Sequence, residues 1–289
     1  QTQSLMDTTQ ERLSTGKKVN SAIDNPSSYY TAQSLTNRAS DLSSLLDSMG
    51  QAVQTIQAAN EGIEAITEFA SQAKAIANSA NDTSDVDSIE NYMKQFDEIL
   101  EQIDGIAKDS GYKGVNLLEK DQELKVVFNE DRSSSLTVKS DDASSEGLGL
   151  HAATGAWTSE AEKGNATEFK TNGKADAGAY VFNGDKVYEV KKNYDGTINA
   201  VDFNTLVADG SLVETDYKLN DDKSKAIEVT ISKDKINTSI TEVEDAVSKL
   251  RNMASVFGNN YSIVENREEF TENLINVLEE GADKLTLAD

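Results

Sequence analysis

Residues 35–77 read LTNRASDLSSLLDSMGQAVQTIQAANEGIEAITEFASQAKAIA, and this stretch decides the fold. Leu42, Met49, Ile56 and Ile63 recur at intervals of seven. Leu46 and Val53 supply a second seam position, which Ala59, Ile66 and Ala73 continue one residue out of phase. Such a repeat is that of helices packed as in a coiled coil, with one local shift of the seam. A helix over residues 35–78 is about 66 Å long at about 1.5 Å per residue.

The same signal returns further along the chain. Val86, Ile89, Met93, Phe96, Leu100, Ile103 and Ile106 form an amphipathic stripe ending near Gly111,. The short NDTS linker at residues 81–84, with Ser84 or Asp85 as the next cap, folds this helix back antiparallel to the first,. The C-terminal segment reads as one helix from about 234 to 287. Its seam is Ile236, Ile240, Val243, Val247, Leu250, Ala254, Phe257, Tyr261 and Val264, continued by Phe270, Leu274, Leu278 and Leu285. A helix of that length, about 80 Å, needs packing partners to be stable. Residues 4–14 read as the tail of a helix that starts upstream. Gly16 and the cluster at Asn25 and Pro26 mark a break and a loop, with the next helix starting near Ser27 or Ser28,.

Between residues 118 and 229 the helical period disappears. LKVVF at 124–128 and SLTVK at 135–139 read as paired strands,. Residues 179–183, 186–191, 200–203 and 226–232 read as further strands, whereas 140–176 carries no periodic signal. The expected fold class is therefore α+β: a long antiparallel coiled-coil-like rod with a β-hairpin and an inserted small β-rich domain. The boundaries read from the sequence are 1–150, 151–227 and 228–289.

Composition narrows the function. A net charge of −24 repels phosphate backbones and anionic membranes, so nucleic acid is not an expected partner,. No apolar run reaches the roughly 18 residues needed to span a bilayer, so membrane insertion is not expected. Cysteine is absent, which excludes disulfides and thiolate chemistry,. The 37% hydrophobic content is lean for a globular domain but suits helices with a high surface-to-volume ratio,.

Three segments carry a family resemblance. ERLSTGKKVNSAID at 11–24 resembles the signature of bacterial flagellins. GYKGVNLL at 111–118 resembles the segment leading into their β-hairpin, and VSKLRNMASVFGNNYSIVEN at 247–266 resembles their C-terminal helix. The likeness covers about residues 1–150 and 230–289, while 151–225 corresponds to the part that varies among flagellins. It implies the rod called D1 with most of the terminal D0 segments missing, so that the truncated chain would not polymerise by itself.

The resemblance also implies self-assembly as a homopolymer for motility, and an extracellular place in the flagellum. Partners would be a flagellar secretion chaperone, the export apparatus and a filament cap. The residues expected to carry subunit assembly are Arg12, Leu13, Gly16, Lys17, Asn20, Asp24, Asn25 and Pro26. The usual DDAAG after the signature is DNPSS at 24–28 here. Some flagellins activate Toll-like receptor 5 through an Arg shortly before a run that AIANSAN at 75–81 resembles. That slot falls here on Ser71 or Gln72, neither of which supplies a bidentate guanidinium, so weak activation is expected,. A hook–filament junction protein, or a glycan- or host-binding module using Trp157, Tyr180, Tyr188, Tyr194 and Tyr217, are the alternatives.

Nothing in the sequence assembles a catalytic or cofactor site. His151, the only histidine, reads as a solvated loop residue and cannot form the two-histidine motif of a metallopeptidase,. Asp141–Asp142 and Asp221–Asp222 lack the spacing of a calcium loop,. Glu268–Glu269 and Glu279–Glu280 are neighbours on a helix, where successive side chains diverge. No enzyme activity and no cofactor are expected.

Overall fold

A computed structural model of the chain describes residues 2–19 and 24–287. The elements run α1 (Thr2–Thr15), α2 (Pro26–Asn81), α3 (Val86–Asp109), β1 (Glu123–Val127), β2 (Ser135–Lys139), β3 (Thr158–Glu168), β4 (Lys174–Ala175), β5 (Tyr180–Asn183), β6 (Lys186–Val190) and β7 (Tyr194–Asp195). They end with α4 (Phe203–Ala208), β8 (Leu212–Glu214), β9 (Lys218–Leu219), β10 (Lys225–Ile231) and α5 (Lys233–Thr286). The chain divides into two compact units. One comprises residues 1–71, 100–150 and 244–289, the other residues 72–99 and 151–243.

In the first unit the heptad reading of α2 holds. Leu42, Met49, Ile56, Ile63 and Ala70 are buried, as are Ala59 and Ile66. The shift of the seam falls where Ala52 and Val53 are both buried, a wider contact face than a strict seam needs. Helix α2 starts earlier than the spacing suggests. Asn25 Oδ1 accepts from Ser28 N at 3.1 Å and Asn25 O from Tyr29 N at 2.9 Å, so Asn25 is the cap. Pro26 is the first helical residue, where its missing N–H costs nothing,.

The C-terminal seam of α5 is a strict seven-residue repeat in this unit: Leu250, Phe257, Val264, Thr271 and Leu278 are buried. Two expectations are corrected here. The second seam position is occupied by Met253 rather than Ala254, which is exposed. Phe270 is 55% exposed and lies off the seam, because a residue one position before Thr271 points about 100° away from it,.

The hairpin β1–β2 pairs Glu123 with Lys139 through Val127 with Ser135, burying Val126 and Val138. The segment before it is organised by Asn116. Its Nδ2 donates to the carbonyls of Ala107 (2.7 Å) and Lys108 (3.0 Å), satisfying the end of α3, and its Oδ1 accepts from Leu118 N at 2.9 Å,. Gly62 of α2 faces this corner. A Cβ there would stand 2.1 Å from Ser110 Oγ and 2.6 Å from Leu118 Cδ1, so only glycine permits this approach,.

The second unit holds a six-stranded sheet in the order β8-β6-β5-β3-β10-β9, in which only the β3–β5 pair is parallel. Strand β3, eleven residues long, lies in the stretch without sequence signal. Its residues TSEAEKGNATE are almost all exposed, so no alternation marks it. The expected strand at 200–203 is instead the approach to α4. Leu206 N donates to Asp202 O at 3.1 Å and Thr205 Oγ1 to Asp202 Oδ2 at 3.0 Å, which starts a helix turn. Leu206 and Phe203 then pack onto the core of Val181, Tyr188, Val190, Tyr194 and Leu212.

Trp157 is fully buried against Phe96 (centroids 4.9 Å apart), and its Nε1 donates to Ser239 Oγ at 2.8 Å. Here too the seam position is Ser239 rather than Ile240, which is half-buried. Helix α3 is capped by Asp85, whose Oδ2 accepts from Ser88 Oγ at 2.8 Å. That bond, helped by the Asp87 and Ser88 backbone N–H groups, holds Asp85 below the usual carboxylate range. Lys233 Nζ donates to the carbonyls of Ala80, Asn81 and Thr83, filling acceptors that the end of α2 leaves open,.

Candidate assembly surface

The residues singled out near the N-terminus fall on three local features. Arg12 and Leu13 lie on α1, which buries no residue: Leu5, Met6 and Leu13 are 68%, 53% and 79% exposed. Gly16 ends that helix at φ +73°, its N–H donating to Arg12 O at 2.8 Å, the left-handed terminus that glycine adopts without strain,.

Lys17 then forms an antiparallel bridge with Leu287, and Val19, which is buried, donates its N–H to Thr286 O at 3.0 Å. The signature thus ties the start of the chain to the end of α5. Asp24 is exposed and leads into the Asn25–Pro26 helix start. Asn20 lies outside the described residues. Ser71 and Gln72 are exposed on α2.

Beside the start of α2, Tyr30, Gln33, Asn37, Arg38, Asp41 and Glu130 border a shallow groove. Arg38 Nε donates to Glu130 Oε1 there. Burial of Glu130 pushes its pKa upward, but the backbone N–H and Arg38 outweigh it and hold the carboxyl below its ordinary value. On α5, Val256, Phe270 and Val277 are each more than half exposed, and the intervals of fourteen and seven between them put them on one face,. Seam counting missed this face because it ranks residues by apolarity and not by direction. The spacing itself was the available signal.

The remaining chemical candidates resolve into local structure. His151 is exposed, as expected, yet its Nδ1 lies 2.7 Å from Glu242 Oε2. Asp142 and Asp222 accept from the backbone N–H groups two residues on, Ser144 and Ser224. Of the five aromatic residues considered for stacking sugars, Trp157, Tyr180, Tyr188 and Tyr194 are buried in cores, and Tyr217 is half-buried, edge-on to Tyr180 with Lys163 Nζ over its ring.

Residues 1–123 match the model of the bacterial flagellin N-terminal helical region. Over those residues the chain is similar to bacterial flagellins. It is 32% identical over 151 residues to flagellin FljK of Caulobacter vibrioides, covering 52% of this chain and 55% of that protein. To a flagellin of Shigella flexneri it is 29% identical over 222 residues, covering 73% of this chain and 38% of that protein. The chain thus spans little more than half the length of the Caulobacter relatives it matches. The crystal structure of Bacillus cereus flagellin aligns over 81% of this chain and 88% of its own, at 13% identity and a TM-score of 0.39, too low to add to the fold described above. No helix among the described residues is long and apolar enough to cross a membrane.

Proposed function

We propose that the chain is a structural subunit of the bacterial flagellar filament, built by self-association of its helical segments. The observation that carries this reading is α1. A fourteen-residue helix that buries nothing is marginal in water, and one exposing Leu5, Met6 and Leu13 needs a covering surface in its working state,. The residues proposed to carry assembly are Arg12, Leu13, Gly16, Lys17, Asn20, Asp24, Asn25 and Pro26. A secretion chaperone, the export apparatus and a filament cap follow as partners by analogy with the family. Ser71 and Gln72 leave only weak activation of Toll-like receptor 5.

Electron microscopy of the full-length protein under polymerising conditions tests the reading. Long filaments are the expected result. Monomers or short caps would replace it with the junction-protein reading.

A further inference from the structure

The first unit contains a cleft of about 340 Å³ between β1 and α2. Leu45, Ala52, Leu124 and Val126 supply its apolar lining, and Lys113, Lys125 and Arg132 stand at its edge, all three exposed. No Asp or Glu lines it, in a chain with 51 acidic against 27 basic residues. None of the three cations has a carboxylate partner among the described residues.

Two of them also hold an unfavourable backbone. Lys113 has φ +47° and Arg132 φ +63°, in the left-handed region where a glycine would sit without strain,.

The complementary surface lies on α5. Glu265, Glu269 and Glu272, spaced i, i+4 and i+7, form one exposed row,. Negative charge is crowded at this place: Glu268, next to the row, is raised above the usual carboxylate range by burial first and then by Glu265 and Glu272. It is the only carboxylate among the described residues whose pKa is shifted upward.

We propose that the cleft edged by Lys113, Lys125 and Arg132 docks the Glu265–Glu269–Glu272 row of a second copy of this chain. This rests on the filament-subunit reading and specifies one contact within it. The two surfaces differ, so the contact is head-to-tail and repeats without closing unless its rotation happens to form a ring. It also places cations against the carboxylates of a chain whose net charge of −24 otherwise opposes association,.

Elongation of sheared filament seeds by the full-length protein, followed by light scattering, tests the pairing. Lys113→Glu/Lys125→Glu/Arg132→Glu and Glu265→Lys/Glu269→Lys/Glu272→Lys should each slow elongation at least about tenfold. Mixed together, the two variants should elongate again, because each presents the surface the other lacks. Lys113→Gly/Arg132→Gly should melt at or above the parent temperature yet elongate more slowly, which separates docking from folding. Parent-like elongation by these variants, or a mixture no faster than its components, overturns the pairing while leaving the filament reading intact. A parent protein that forms no filaments overturns that reading itself.

Discussion

Replacing Gly62 by alanine sets two opposed effects against each other. Inside a helix, glycine to alanine contributes about 1 kcal/mol of stability. At Gly62 the new methyl would stand 2.1 Å from Ser110 Oγ, 2.6 Å from Leu118 Cδ1 and 2.9 Å from Ser110 Cβ. The last of these is fixed to the backbone, so the end of α3 must move. Its movement disturbs the Ser110 hydroxyl bond to Ile106 O and the Asn116 bonds to Ala107 and Lys108. Overpacking of this kind costs about 1–3 kcal/mol, and the fixed obstacle places it at the upper end. The net is a destabilisation of about 2 kcal/mol once the helical gain of about 1 kcal/mol is subtracted.

Gly105 is the matched control, also helical but with nothing within 4 Å of the point a Cβ would occupy, so Gly105→Ala should stabilise by about 0.5–1 kcal/mol,. Urea unfolding followed by circular dichroism at the helical band reads both. If Gly62→Ala raises the midpoint as Gly105→Ala does, the close approach of α2 to the 110–118 corner is wrong.

Ser239→Ala leaves the buried Trp157 Nε1 without its acceptor and should cost about 1–3 kcal/mol,. The emission of this single tryptophan reads the loss directly, and unchanged stability would contradict the bond. Asn25→Ala removes the α2 cap and should lower stability by about 1 kcal/mol, whereas Asn25→Asp should retain it,. Glu268 has a folded pKa above its unfolded value, so its charged form disfavours folding, and stability falls as pH rises through the window between the two values,. Glu268→Gln should therefore raise the melting temperature at pH 7 and lose that advantage as pH drops below the ordinary glutamate range. A gain that persists at low pH would assign the effect to packing.

The helices were legible because their chemistry is periodic. Leu42, Met49, Ile56 and Ile63 face one partner surface, and a count by sevens finds them. In α5 the count succeeded at Val243, Leu250, Phe257 and Val264 but chose Ile240 and Ala254 where the fold uses Ser239 and Met253. A polar seam residue such as Ser239 is recognisable only once Trp157 is seen above it. Strand β3 could not be read, since a strand with both faces largely in water has no alternation to display. The approach to α4 at 200–203 was mistaken for a strand, and the helix itself went unread because its six residues are too few to reveal a period. The assembly residues were reached by resemblance. Their geometry, with Gly16 as a helix stop and Lys17 and Val19 against residues 286–287, involves the far end of the chain, which no local window contains.

The insert in the second unit begins and ends at a single point. Ser232 N donates to Trp157 O at 2.7 Å, and Thr158 pairs with Ile231 as antiparallel partners. Residues 159–230 are therefore joined to the rest of the chain through two adjacent paired strands, and Lys218 adds an ion pair to Asp87 of α3 at 2.7 Å. Loop closure costs depend only weakly on the length enclosed once its ends are held together. The β3–β10 pair is thus a graft point: a shorter hairpin or a larger foreign domain with neighbouring termini can be exchanged there without changing the register of Trp157 on Ser239. Surface display on this scaffold should be limited by the folding of the cargo rather than by the helices that carry it.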